Sequence, residues 1–353
     1  MKIAVVSTPF VPVPPKDYGG TELVVHELVE GLVARGHDVT LYATGDSTTS
    51  AAMEYLYEEA QWPPEPLADL NHASWALSRV RDAGFDVVHV HSAEALGVSR
   101  MLRGIPVVYT LHHEREEVCS RYYPYFPEVW FVAISERQRQ REVRLPRITT
   151  IYHGLEPSYY AGPTTAGDYV CFIGRLSKVK GPHHAIDAAV RAGIEIRVAG
   201  RNHADDRVPG FFEREVEPRL KHPLVRYLGG IGGADKAALL RGARAVLVPI
   251  EWEEPFGLVM IEAMLAGCPV IAFPRGSAPE LVEDGRTGFL VRDVAEMAHA
   301  ILHKVEGFDR EACRARAIER FSRDAMVERY EAQYLTACGQ GSARCDPHAP
   351  AFP

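Results

Sequence analysis

The chain has 353 residues, 46% hydrophobic and 24% charged, too long for one ordinary α/β core and suited to two domains with a cleft between them. Its formal net charge of -8 speaks against a general nucleic-acid binder, which is usually basic. No apolar run reaches the length that spans a bilayer, so stable membrane insertion is not expected.

Met1 and Lys2 lead straight into Ile3-Ala4-Val5-Val6, too short a run for a signal-peptide core and readable as a first strand. Short β-branched runs then alternate with helical patterns, the signature of a parallel sheet with crossover helices. In the first half, strands are expected at 2–7, 38–43, 86–91, 106–111, 130–133 and 148–152. The clearest helix is 21–35, where Leu23, Val24, Leu28, Leu32 and Val33 share a face. Gly36 follows where a left-handed C-cap belongs. Residues 156–168 are rich in Pro, Gly and Thr and read as a linker.

A second series begins at Tyr169, with strands at 169–173, 194–199, 225–228, 245–249, 269–272 and 288–291. Its helices are expected at 182–192, 210–220, 234–242, 256–266 and 294–305. One more helix is expected at 321–337, with Met326, Tyr330, Tyr334 and Leu335 on roughly one face, and the tail 339–353 reads as disordered. The fold class is therefore α/β, two Rossmann-like parallel-sheet domains facing a cleft. Ligands of such sheets bind beyond the carboxyl ends of the strands. The six cysteines are scattered without a C-x-x-C pair. They support neither a disulfide scaffold nor a zinc site, and the expected compartment is reducing and cytoplasmic.

Three segments at expected strand ends suit an anion. Tyr18-Gly19-Gly20-Thr21-Glu22 precedes the first long helix; its glycines allow close backbone approach and the helix start adds partial positive charge. The same residues suit a plain turn capped by Thr21. Gly174-Arg175-Leu176-Ser177-Lys178-Val179-Lys180-Gly181 offers a guanidinium fork at Arg175 and a point charge at Lys180; the alternative is a solvated basic loop. In Glu254-Pro255-Phe256-Gly257-Leu258-Val259-Met260-Ile261-Glu262, Pro255 suits a first helical turn and Gly257 and its neighbours present free N–H groups. A helical rise places the two glutamates about 10 Å apart. That is wide for a retaining glycosidase pair, which needs roughly 5–5.5 Å, and it suits two hydroxyl-bearing parts of one ligand with a diphosphate between. Glu262 as a plain polar-face residue is the alternative.

These segments, in this order, resemble the family 4 (group 1) retaining glycosyltransferases of GT-B fold over nearly the whole chain. The most specific element is the E-x7-E motif from Glu254 to Glu262. It is joined by Gly267-Cys268-Pro269-Val270-Ile271-Ala272, Gly276-Ser277-Ala278-Pro279-Glu280, Asp284 to Val291, the Gly174–Gly181 stretch and the Gly19-Gly20 loop. The resemblance implies that Arg175 and Lys180 neutralise a departing diphosphate, Glu254 binds donor-sugar hydroxyls and Glu262 binds the ribose. It implies donor contacts from Gly19, Gly20, Phe256, Gly257, Leu258 and Val259. His112 matches the strand-end histidine of the reaction centre, with His113 directly after it. His153-Gly154 stands where Asn-Gly is frequent, and Gly276-Ser277 replaces a double glycine, where serine narrows the loop.

The implied division is an acceptor-side domain at 1–160, to which the helix 321–338 returns, and a donor domain at 161–320. The implied reaction moves a hexose-type sugar from a UDP-, GDP- or ADP-sugar to a hydroxyl of a glycan or small-molecule acceptor. Configuration is retained by front-side attack, without a metal or other cofactor. Asp205-Asp206 reads as a solvated turn, and His37, His89 and His91 as packing or turn residues. Acceptor loops are expected at 9–17, 44–49 and 114–127, the last with tyrosines suited to stacking on sugar rings, or else packed as a surface helix. Base contacts are expected near 227–231. A nucleotide-sugar 2-epimerase of the same architecture is the alternative enzyme, and a nucleotide-sugar-binding protein without activity the alternative class.

Overall fold

The computed structural model describes residues 1–16, 19–163, 165–202 and 208–341. Tyr18 of the glycine loop, Asp17, Asp205-Asp206 and the tail from 342 onward lie outside the described residues. The first half runs β1 (Lys2–Val6), α1 (Gly20–Ala34), β2 (Asp38–Ala43), β3 (Ala52–Tyr55), α2 (Pro66–Val80), β4 (Val87–Val90), α3 (Glu94–Ser99), β5 (Val107–Leu111), α4 (Glu117–Tyr122), β6 (Trp130–Ala133), α5 (Glu136–Arg141) and β7 (Ile148–Thr150). The second runs β8 (Tyr169–Ile173), α6 (Pro182–Ala192), β9 (Glu195–Ala199), α7 (Glu217–Leu220), β10 (Val225–Gly229), α8 (Gly233–Gly242), β11 (Val246–Val248), α9 (Leu258–Leu265), β12 (Val270–Ala272), α10 (Ala278–Leu281), β13 (Gly288–Leu290), α11 (Val294–His303), α12 (Arg310–Phe321) and α13 (Arg323–Gly341).

The strands form two sheets, ordered β3-β2-β1-β4-β5-β6-β7 and β10-β9-β8-β11-β12-β13. Pairing is parallel throughout, for example Ile3 opposite Val39 and Val170 opposite Ile196. Successive strand side chains point to opposite faces. Thus Ile3 and Val5 enter one core while Ala4 and Val6 enter another. In β8, Val170 and Phe172 face one core and Cys171 the other. Helices cover both faces, which is why these strands read as near-continuous apolar runs. Among the described residues, no helix is long and apolar enough to cross a membrane.

The strand expectations agree with the observed strands to within two residues, and β3, too short and polar to signal itself, is additional. Helices α2, α3 and α5 were also not foreseen, and α4 realises the surface-helix alternative for 114–127. The helix expected at 210–220 is continuous from Phe211, but its first part is a π segment at Phe212–Val216 and only α7 closes it as α-helix; Pro218 lacks the N–H a regular helix needs there. In 114–127, Tyr123 is buried and Tyr122 packs edge-on against Phe126, leaving Tyr125 as the exposed tyrosine. Helix α1 buries Val24, Val25, Leu28, Val29 and Leu32, while Leu23 packs against the second domain's core instead. Gly36 has the expected positive φ, at 83°.

The helix expected at 321–337 is α13, beginning two residues later at Arg323, and α12 before it was not expected. Helix α12 stays with the second core through Cys313, Ala317 and Phe321, whereas α13 lays Met326, Val327, Tyr330 and Tyr334 on the first. Leu335, expected on that face, is 63% exposed, because a residue directly after Tyr334 is turned well around the helix. Residues 339–341, expected in a disordered tail, close α13. Between the two helices Ser322 is extended and bridges Leu155. Leu155 N donates to Phe321 O at 3.0 Å and Arg323 N to Leu155 O at 2.8 Å. A Cβ on Gly154 would lie 2.2 Å from Ser322 O, so only glycine lets the two segments pass this closely.

Helix α13 is tied to α1 by ions. Arg323 reaches the buried Glu27 at 2.5 Å and Glu156 at 3.2 Å, and Glu331 takes Arg35 at 2.6 Å and His37 at 2.7 Å. Arg323→Ala strands Glu27 without its partner, and the expected loss of stability is about 3 kcal/mol. A lowered urea midpoint with unchanged slope is the predicted result; an unchanged midpoint would mean that Glu27 does not depend on Arg323.

Candidate active site in the cleft

Two helix N-termini meet between the sheets. Gly20 opens α1 and Leu258 opens α9, and a Cβ on Gly20 would lie 3.4 Å from Leu258 Cδ1. Leu258 packs against cores of both domains, and Val259 packs on the second. The cap of α1 is Gly19 rather than Thr21, with no side-chain cap bond. Gly19 is hemmed in by Val11, Pro15 and Glu22. Glu22 accepts from Thr8 Oγ1 at 2.8 Å, and burial pushes its carboxyl above the ordinary range.

Helix α9 starts at Leu258, two residues later than expected, so Pro255 lies outside it. Gly257 has φ 83°, a left-handed conformation that a right-handed helix cannot include. The first N–H groups of α9 consequently have no partner within the helix. Phe256 is buried against the rings of Tyr152, His153 and Phe321. The loop before it is gripped from behind: Gly276, at φ 58°, sits where a Cβ would meet Glu254 N at 2.3 Å. Ser277 does not narrow the site. It is fully buried, its N–H donates to Glu254 O at 3.0 Å and its Oγ donates to Phe256 O at 2.5 Å.

The two glutamates are held alike and separately. Glu254 Oε2 takes the Lys180 ammonium and the Trp252 Nε1–H, the latter at 2.7 Å. Glu262 Oε1 takes the Lys236 ammonium and the Tyr160 hydroxyl, the latter at 3.0 Å. In each case both donors share one oxygen; among the described residues the other oxygen has no hydrogen bond. Lys180 also lies 5.2 Å over the Trp252 ring. It reaches Glu254 because Val179 O accepts from Glu251 N at 2.9 Å, joining the loop after β8 to that after β11. Strands β8 and β11 are neighbours, so Arg175 stands beside these loops, its Nε buried without a hydrogen-bond partner.

His112 Nε2 lies 2.8 Å from His91 Nδ1, and its ring stacks on His153 at 5.4 Å and 17°. His153 in turn meets Phe256 edge-on. His113 turns the other way, toward the Tyr123 hydroxyl at 2.8 Å and Glu114 O, so His112 is the one of the pair that packs toward the Glu254 loop. His91 is buried between His89 and His112, in keeping with its reading as a packing residue, and His153 packs between His112 and Phe256. His89 is a core residue between Tyr334 and Thr110. Burial holds His89, His91, His112 and His153 well below the ordinary imidazole value, with repulsion from neighbouring histidines as the second cause.

Trp252, Lys236 and Tyr160, which hold the two glutamates, and His153, stacked on His112, were not among the residues singled out for the site. Tyr160 meets Glu262 across 102 residues, whereas Trp252 lies only two residues from Glu254 and no motif marked it. Only the Asn-to-His departure at His153 left a signal. Across the cleft, Arg137 forks onto Glu253 at 2.8 and 3.0 Å. Glu280 accepts from the backbone of Glu136 and Arg137 and from Tyr152 Oη.

The histidine stack predicts an acid limb in stability. Unfolded histidines titrate near pH 6.5 and the folded ones lower, so below about pH 6.5 the unfolded chain binds more protons and stability falls with pH. Each histidine contributes up to about 1.4 kcal/mol per pH unit in that window. His153→Asn removes one, and chemical denaturation between about pH 6 and pH 5 is expected to show a correspondingly shallower loss. An unaltered slope would contradict a neutral, buried His153.

Known proteins match this arrangement along its length. The family model described as Glycosyltransferase Family 4 matches residues 18–159, and that described as Glycosyl transferases group 1 matches 167–306. The chain is 27% identical to a glycogen synthase of Mycobacterium tuberculosis, over 99% of this chain and 98% of the relative. It is 26% identical to a phosphatidyl-myo-inositol mannosyltransferase of Mycobacterium leprae, over 92% and 95%. Solved structures of similar fold include sucrose-phosphate synthase from Thermosynechococcus elongatus, with TM-score 0.78, 20% identity and coverage of 95% and 99%. Anabaena HepE in complex with UDP-glucose has TM-score 0.74, 21% identity and coverage of 95% and 100%. The chain therefore belongs to the family 4, group 1 glycosyltransferases and is a glycosyltransferase of GT-B fold.

Proposed function

We propose that the cleft binds a nucleotide-diphosphate sugar and transfers its hexose-type sugar to a hydroxyl of a glycan or small-molecule acceptor, with retention of configuration and without a metal. The observation that carries this reading is the matched pair of glutamates. Each has one oxygen fixed by a lysine and an aromatic donor, and one oxygen open to accept from a hydroxyl. Glu254 is assigned to the sugar hydroxyls and Glu262 to the ribose. The start of α9, the Gly19-Gly20 turn, Arg175 and Lys180 lie between or beside them and suit the diphosphate. The donors of known structures such as HepE, solved with UDP-glucose, make a nucleoside diphosphate the natural ligand here; the base and the sugar are left open among UDP-, GDP- and ADP-sugars.

In the proposed step the bond from the anomeric carbon to the leaving phosphate oxygen breaks, and the acceptor oxygen bonds to the same face. The acceptor proton passes to the departing phosphate. No enzyme nucleophile is required, so the chain's contribution is positioning and charge. Arg175, whose buried Nε lacks a partner, gains one in the diphosphate. His112 stays neutral beside the reacting sugar and adds no competing positive charge.

Glu254→Ala is expected to lower kcat/KM for transfer by about 10²-fold or more while the Kd for free nucleoside diphosphate changes little; Arg175→Ala is expected to cost about 10²–10³. Transfer by Glu254→Ala at the wild-type rate would defeat the assignment. A panel of nucleotide sugars followed by thermal shift and slow hydrolysis identifies the donor; an epimerised product from donor alone would indicate an epimerase instead. Turnover is expected to persist in chelator, and a loss restored by Mg²⁺ or Mn²⁺ would exclude the metal-free step.

A further inference from the structure

Behind the loops that carry Lys180 and Glu254 lies a second cluster that the transfer reaction does not use. Helix α6 opens with Pro182, and the next two residues are His183 and His184, with ring centroids 3.9 Å apart. Glu251 comes from the loop after β11, and its Oε1 lies 3.3 Å from His184 Nε2. One ligand atom from each of the three lies within 4.8 Å of the other two. Among the described residues, this is the only group of three His, Cys, Asp or Glu side chains so placed. His183 Nδ1 and Glu251 Oε2 are buried with no hydrogen-bond partner. Buried polar atoms without partners are uncommon and call for one.

We infer that His183, His184 and Glu251 form a binding site for a divalent transition-metal ion of the zinc class, separate from the reaction centre. Two imidazoles and a carboxylate suit Zn²⁺, Co²⁺ or Ni²⁺ rather than Mg²⁺, which prefers oxygen alone. In a tetrahedral zinc site, ligand atoms at the usual bond lengths stand about 3.4 Å apart, close to the observed His184–Glu251 spacing. A hollow of about 380 Å³, bordered by His184, Glu251, Phe273, Arg275 and Asp293, gives the ion a path and room for water ligands. The start of α6 and the nearby Lys180 and Arg275 disfavour a cation, and Glu251 is the charge that offsets them. Because Glu251 N already donates to Val179 O, an ion here reinforces the joint between the two loops holding Lys180 and Glu254.

The test titrates metal-stripped full-length protein with Co²⁺ and follows its visible absorption, with Zn²⁺ thermal shift alongside. Wild type is expected to saturate at one equivalent with bands of a low-coordinate site, and to melt higher with Zn²⁺. His184→Ala and the conservative Glu251→Gln are each expected to weaken Co²⁺ binding by roughly 10–100-fold or more and to lose the zinc shift. A variant in which His299 and His303, paired on α11, are both changed to alanine is expected to bind as wild type does. Absence of the bands in wild type overturns the inference, as does binding that survives Glu251→Gln or disappears with His299 and His303.

Discussion

The paired crossing at Leu155 and Ser322 decides how the two sheets face each other. The chain leaves the first sheet beside Gly154 and returns at Ser322, and the two passages are hydrogen-bonded to one another. With that joint made, α12 completes the second core and α13 the first. The carboxyl ends of both parallel sheets then point into one cleft, where ligands of such sheets bind. Leu258, shared by cores of both domains, and Gly20 opposite it mark the contact that results.

Within that cleft the arrangement of charge is economical. A carboxylate taken out of water needs partners, and Glu254 and Glu262 each have a lysine and one aromatic donor. Because both donors sit on a single oxygen, the second oxygen keeps its capacity to accept. The glutamates have separate partners and do not bond to each other. Gly276 and Ser277 fix the backbone of this loop from the buried side. Positioning comes from the main chain as much as from the carboxylates.

The histidines solve a related problem. His112 stands among other histidines, and a charge on any one of them would repel the rest. Stacking it between His91 and His153, both buried, makes protonation costly. The same desolvation makes the fold sensitive to acid, so a neutral site and acid sensitivity have one cause.

By itself the sequence determined the fold class, the strands and the segments that meet in the cleft. Those depend on local patterns: β-branched runs, a helical period and glycine at turns. Arg175, Lys180, Glu254 and Glu262 were legible because they sit in short contiguous motifs. Only the tertiary structure decided who holds them. Lys236 and Tyr160 carry no motif, and their hydrogen bonds to Glu262 exist only once the strands are ordered. It likewise turned His112 toward the second domain and His113 away, and set the break at Ser322 that separates α12 from the expected helix beginning at Arg323. Side-chain direction and long-range pairing depend on packing, which no local pattern encodes.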